Sequence, residues 1–550
     1  MWRLLVAHYT PRPNAVRLTT DQHLQALTRV PGAEVLSYNA VHGLPSWLRG
    51  LRFDAIVLHT TLLGMRWHPY FEQWKPRSAW LAEADCLKIA FPQDEYWHAE
   101  TLDSWLDELG TSVVCSVLDD RHRDALYPRL APKATFYETL TGYIDEAAAA
   151  RIRPRLVPNR ERPFDLVYRA RNLPYWLGSH GQLKHRIGEA AAARAPAHAL
   201  RADISTRPQG TVLGDAWLDF MGSGRATVGA ESGASTLDRT GDLQAEVERI
   251  VAAEPGLTFE KLDERMPPGW DDYEFFAISP RHLEAVITKT AQILVEGRYS
   301  GALEPDLHYL PVKRDLSNLD DALERARDPE LVEQLAEQAY EDVYRDGRFG
   351  SRQLTETLTE ILEAHATRGT RRPPLAPAAG LARVEEEVER LVVEPVANVL
   401  RVGREGNREL LAGLRLVGKD AVARRLLSDY LRSTETREHV SPRIALWDLF
   451  CLSAARRRGH AAVETDGERL RVVVGAPSGT EPTRAELESR LQSAVWDFVW
   501  DHGGAETLSV PLAGRAKLKL ELGAEPRPLP VLSWLAREHP AAVAAALTRR

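Results

Sequence analysis

At 550 residues the chain is longer than one hydrophobic core usually supports, so two or three domains are expected. A formal net charge of -8 argues against nucleic acid or an anionic membrane as the main partner, because both demand a basic face. Three cysteines (Cys86, Cys115, Cys451) without CxxC spacing exclude a disulfide framework or a zinc site, and no apolar run is long enough to span a bilayer. A cytoplasmic protein is expected.

In chain order, short β-branched or aromatic runs alternate with helical patterns: Arg3 to Tyr9, Glu34 to Tyr38, Asp54 to His59, Leu87 to Phe91, Ser112 to Val117 and Thr135 to Leu140. This alternation predicts βαβ units around a parallel sheet, a Rossmann-like domain over residues 1–150. The stretch Arg151 to Pro163, rich in proline and arginine, reads as an interdomain linker. Alternation resumes at Asp165 to Tyr168, Ala199 to Ile204, Arg225 to Ala230, Phe275 to Ile278, Gln292 to Glu296 and His308 to Val312, giving a second α/β domain over 163–365. Its tail, Leu319 to Tyr344 and Arg352 to His365, is helical by leucine and charge spacing. After a second linker at Ala366 to Gly380, residues 381–550 read as an appended α+β module. Val384 to Leu431 is helical there, and LRVVV and AKLKLEL are strands flanking a helix with Trp496, Phe498 and Trp500.

Several chemistries lack their signals: there is no GxGxxG after the first strand, and no GxxxxGK[ST], HExxH or GxSxG. The acidic pairs Asp119-Asp120, Asp271-Asp272 and Asp320-Asp321 lack the flanking strand of a metal-binding site and read as loop or helix-cap acids, so no metal is expected.

The block Ile278 to Val312 is the informative one. A strand end meets Ser279 and Pro280, the N-cap and first-turn residues of a helix, and Arg281 and Glu284 follow on one face. Such a helix start favours an anion, a carboxylate one turn inside it suits ribose hydroxyls, and the GRYSG turn offers N–H groups to a phosphate. With SPRHLEA, EGRYSG and HYLPVKRDLSNLDDAL, the chain resembles the GT-B glycosyltransferases of the group-1, family-four-like kind, near a CgeB-type bacterial subgroup. The resemblance runs loosely to about residue 365. It implies two facing Rossmann-like domains, a retaining sugar transfer in bacterial glycan biosynthesis, Glu284 on the donor ribose and the Ser300-Gly301 backbone on the diphosphate. It implies a nucleotide sugar as co-substrate, with no other cofactor. One departure stands out: Phe276 occupies the place where that family's E-x7-E pattern has its first glutamate.

DLVYRARNLPYWLGSHGQLKHRIGEAAA, residues 165 to 192, is similar to the same family's opening strand and basic pair. Arg171 and Lys184, with Gly178 and Gly181 between them, supply the two cations that a leaving diphosphate needs without a metal. In RATVGAESGAS, Glu231 either contacts a sugar or caps a neighbouring helix. On the acceptor side, FPQDEYWH offers Asp94, Glu95 and His98 to position or deprotonate a hydroxyl, and Tyr96 and Trp97 to stack on a ring, whereas His59 reads first as a core residue. The expected activity is transfer of a sugar from a nucleoside diphosphate to a hydroxyl of a glycan, lipid-linked or protein acceptor. The competing reading is a scaffold of the same shape without catalysis.

Overall fold

The computed structural model describes residues 1–10, 18–212 and 215–370, and beyond them single positions and four short strands. The first sheet is built from β1 (Trp2–His8), β2 (Ala33–Asn39), β3 (Ala55–Leu58), β4 (Leu87–Ala90), β5 (Val113–Ser116) and β6 (Thr135–Glu138), in the order β2-β1-β3-β4-β5-β6. Every pairing is parallel. The second sheet contains β7 (Phe164–Arg169), β8 (Ala202–Ser205) and β9 (Gly224–Gly229). A small antiparallel ribbon follows, β10 (Ser232–Ala234) with β11 (Phe275–Ala277), and then β12 (Ala291–Val295) and β13 (Leu310–Val312) complete the sheet. Its order is β8-β7-β9-β12-β13, again all parallel.

Parallel strands buried on both faces are largely apolar. β1, β3, β5 and β12 are buried at every position. Each sheet begins at its second strand, steps back to its first and then runs outward. In this order the crevice beyond the carboxyl ends lies where the direction reverses, between β1 and β3 and between β7 and β9. Two facing Rossmann-like halves, the GT-B arrangement, are therefore present.

The two crevices open toward each other. Arg298, after β12, meets Asp119, after β5, at 2.8 Å, and the Thr141 hydroxyl, after β6, donates to the Ile278 carbonyl at 2.5 Å. Residues between β10 and β11 reach across as well: Asp238 pairs by backbone with Trp97, and Phe275 and Ala277 join the apolar core of the first half. The helix Ser351–His365 crosses back and packs Leu354, Leu358 and Ile361 against Trp2, Leu4 and Val6.

The structure departs from the sequence reading in one place. Phe275 to Ile278 extends no parallel sheet, because Gly233 (φ 117°) brings β10 and β11 into antiparallel contact. The stretch 151–163, between the two sheets, holds the end of the helix Glu146–Ile152 and two short turns, with Arg162 buried and donating to the carbonyls of Gly224 and Thr288. Beyond residue 370, both strands read there are present, each in a hairpin with a partner: β14 (Ala462–Asp466) with β15 (Arg469–Val473), and β16 (Thr507–Pro511) with β17 (Lys517–Glu521). The expected helices at 384–431 and around Trp496 lie outside the described residues.

Candidate active site

The carboxyl edge of the second sheet gathers cations from three connections. Lys184 lies on the helix Gly178–Arg194 after β7, and its ammonium donates to Ser232 Oγ at 2.7 Å. Arg298 follows β12, and Arg314 follows β13, its guanidinium 3.3 Å from His180 Nδ1 and over the Phe276 ring. His180 is stacked on Phe276 with centroids 3.6 Å apart, and burial, with Arg314 and Lys184 beside it, lowers its pKa to about 3. It is a neutral donor and acceptor at physiological pH.

Glu231 is at the centre of this group. Its carboxylate is buried and accepts the Tyr299 N–H at 2.7 Å. Burial raises its pKa, opposed by the N–H groups of Tyr299 and Arg298 and by the Arg314 charge. Tyr299, Ser300 and Gly301 have φ of 49°, 51° and 72°, a left-handed turn that only a fixed partner makes favourable for non-glycine residues. Glu231 is that partner. Ser300 Oγ accepts from Ile278 N, and the Gly301 N–H closes on the Arg298 carbonyl.

The amino terminus of the helix Gly178–Arg194 is also occupied by the chain. Asp271 accepts the Ser179 N–H at 2.8 Å and the Ser235 hydroxyl, and Ser235 in turn accepts the His180 N–H. A side chain at Gly178 (φ 75°) would overlap Asp271, which is why glycine stands there. Asp119 is paired with Arg121 and Arg298, and Asp320 with Arg194 and His198.

Arg281 and Glu284 form a neighbouring group around Trp217. Trp217 Nε1 donates to Glu284 at 2.6 Å, and the Arg281 guanidinium lies over the Trp217 and Tyr168 rings at 5.2 and 5.5 Å. Tyr168 links this group to the first, since its hydroxyl donates to the Lys184 carbonyl. Ser279 makes no side-chain cap, and Pro280 at the helix start abuts Gly142 of the first half. Arg171 is exposed on the loop after β7, with no ion pair among the described residues.

In the first half, Asp94 is exposed and accepts the Tyr96 hydroxyl at 2.7 Å. Glu95 faces inward: it accepts from the hydroxyls of Ser116 and Tyr127 and from the Val117 N–H, and burial raises its pKa to about 7. Ser116 and Tyr127 line a cavity of about 230 Å³ at the carboxyl ends of β5 and β6, with Asp119 at its rim. His98 is half-buried against Gly241, its pKa lowered by burial. Trp97 stacks on Trp67 at 4.5 Å and packs against Trp176, so this ring lies in a cluster between the halves.

Sequence reading overlooked Arg298, Arg314 and His180. The first two stand inside motifs quoted above, EGRYSG and HYLPVKRD, and their position just after a strand end was the available signal. His180 could be found only from its contact with Phe276.

No protein-family model and no curated protein matches the chain in sequence. Among solved structures, the chain is similar to Anabaena HepE in complex with UDP and glucose (10% identity, 66% of this chain and 100% of that one, TM-score 0.33). It is also similar to an alpha-glucosyltransferase in complex with UDP and a 13-mer DNA (10%, 66% and 99%, TM-score 0.38) and to AviGT4, a glycosyltransferase involved in avilamycin A biosynthesis (12%, 66% and 99%, TM-score 0.34).

Proposed function

We propose that the chain is a metal-independent glycosyltransferase, of the CgeB-type kind, that moves a sugar with retention from a nucleoside diphosphate to a hydroxyl of a glycan, lipid-linked or protein acceptor. The observation that carries this reading is the convergence of Lys184, Arg298 and Arg314, from three separate connections, on the carboxyl edge of the second sheet around Glu231. A departing nucleoside diphosphate gains negative charge as the glycosidic bond breaks, and fixed cations in a closed crevice stabilise that charge more than the ground state. In this reading the three cations hold the diphosphate, Arg171 guides it in from the mouth, and Glu231 holds the Ser300-Gly301 turn in shape. Glu284, oriented by Trp217 and flanked by Arg281, accepts the ribose hydroxyls.

The acceptor enters from the first half. In this reading Asp94, exposed on the loop after β4, positions the acceptor hydroxyl beside the cavity at Ser116, Tyr127 and Asp119, and Glu95, poised near 7 behind the two hydroxyls, takes up a proton through them. His98 positions the loop. Phe276, stacked on His180, favours the second reading, a donor-binding scaffold without catalysis, because no acid reaches the sugar from that position. A panel of sugar nucleotides, screened for thermal stabilisation and then for donor hydrolysis, separates these. Stabilisation with slow hydrolysis supports the transferase, stabilisation alone supports the scaffold, and no stabilisation by any donor refutes both.

A further inference from the structure

A chain of hydrogen bonds with fixed direction runs from the carboxyl ends of β1 and β3 to the helix Leu18–Leu27. The Tyr9 N–H donates to Thr61 Oγ at 3.1 Å, so the Thr61 hydroxyl proton is available to His59 Nδ1, 2.8 Å away. The Thr61 N–H also donates to that nitrogen at 3.2 Å. A backbone N–H cannot accept, so His59 Nδ1 carries no proton and the ring proton is on Nε2. His59 Nε2 lies 3.1 Å from His23 Nδ1, which must then accept, leaving the His23 proton on its own Nε2. Both rings are buried and burial keeps both neutral, His23 with a pKa near 4, so each has one N–H to give.

His23 is 5% exposed, and among the described residues its Nε2–H meets no acceptor. The ring lines a cavity of about 200 Å³ between the helices Leu18–Leu27 and Ser351–His365, far more room than one water needs. Arg29 and Arg352 bring positive charge to the lining, Arg29 bonded to Gln25 and Arg352 paired with Glu356, each with further guanidinium N–H groups to give, while Gln22, Gln25 and Thr355 donate within the protein. The lining's one carboxylate, Asp145, is already held by Gln22 and by the Ala147 N–H it caps. The first turn of the helix Ser351–His365 also opens on the cavity, its N-cap Gly350 has no side chain to cap it, and the Ser351 hydroxyl is turned toward Glu146.

We propose that this cavity binds a small oxyanion-bearing molecule, whose oxygen accepts the His23 Nε2–H while Arg29 and Arg352 neutralise its charge at the mouth. The inference stands whether or not the proposed transferase activity is found. The carrier of the oxyanion is either a phosphate or a carboxylate, and the test distinguishes them.

The full chain, labelled with ¹⁵N-histidine, is titrated at pH 7 with sodium phosphate and, separately, with sodium citrate, at constant ionic strength. Before titration, His59 and His23 should both show protonated Nε2. A saturable shift confined to His23 is then expected with one anion or both: phosphate alone identifies a phosphate carrier, citrate alone a carboxylate. His23→Phe should abolish the saturable thermal stabilisation given by the same anion. Arg352→Ala, on an exposed side chain whose loss the fold tolerates, should weaken it at least tenfold. A proton on His23 Nδ1, no saturation with either anion, or parent-like binding by Arg352→Ala would overturn the proposal.

Discussion

Glu231 and Tyr299 form the contact on which the candidate donor site is built: the buried carboxylate accepts the Tyr299 N–H at 2.7 Å and holds three successive left-handed residues in place. Gly297 makes room for it, since a Cβ there would overlap the Glu231 carboxylate. Gly297→Ala should therefore displace Glu231 and relax the turn, at a cost of about 1–3 kcal/mol from overpacking. Thermal melts in the presence and absence of donor should show both a lower transition and a smaller stabilisation by donor. An alanine variant with the parent melt and the parent donor response would show that the turn needs no such support.

Lys184→Ala should lower kcat more than it weakens donor binding, because its charge matters most once the diphosphate departs. Removing an oriented electrostatic group of this kind lowers turnover by about 10²-fold or more. Steady-state kinetics of donor hydrolysis measures the split. A loss of affinity with kcat unchanged would assign Lys184 to uniform binding of donor and transition state.

Glu284→Ala removes the acceptor of the Trp217 N–H as well as the proposed ribose contact. Nucleotide affinity should fall by about 1.5–3 kcal/mol if the lost bonds are charge-assisted and buried. Trp217→Phe, which removes the indole N–H from Glu284 and keeps an aromatic ring, should weaken binding less. If both variants bind nucleotide as the parent does, the ribose is held elsewhere.

Much of this arrangement was legible in the sequence. Continuous apolar runs such as LLVA and ILV show strands buried on both faces, and their alternation with helical spacing shows the parallel sheets. What the sequence hides is pairing between distant carboxylates and backbone. Asp271 was readable as a helix-cap acid, but nothing local says that it caps the helix Gly178–Arg194, 92 residues earlier in the chain. Likewise Glu95 and Asp94 are adjacent in sequence, yet the loop after β4 turns one inward to Tyr127 and leaves the other exposed. Phe275 to Ile278 has the composition of a sheet strand, and only Gly233 reveals its antiparallel partner.

Chelation should leave activity intact. The acidic pairs at Asp119, Asp271 and Asp320 are occupied by arginine, histidine or helix N–H groups, and the cations of the crevice supply the charge a metal would otherwise bring. Donor turnover after exhaustive EDTA treatment checks this, and complete loss with rescue by manganese would contradict it.

Acid should destabilise the fold through the buried histidines. His8 and His23 have folded pKa values near 4 against an unfolded value of 6.5, so the unfolded state binds more protons between those limits. Stability is therefore lost as pH falls from about 6.5 to 4, by on the order of 3 kcal/mol for His23 alone. Glu95, raised to about 7, acts with the opposite sign over part of this window, which is why the comparison is made between parent and His23→Gln. The variant should show a shallower decline in urea-unfolding free energy from pH 6.5 to 4. Parallel pH profiles would mean that His23 is protonated in the folded state.

Calorimetric titration of the most stabilising sugar nucleotide into the parent and into a Lys184→Ala/Arg314→Ala double variant tests the central claim most directly. Saturable binding by the parent, weakened at least tenfold (about 1.4 kcal/mol) in a folded double variant, is the predicted result. Equal affinity in the two proteins would contradict the assignment of the donor site to the carboxyl edge of the second sheet.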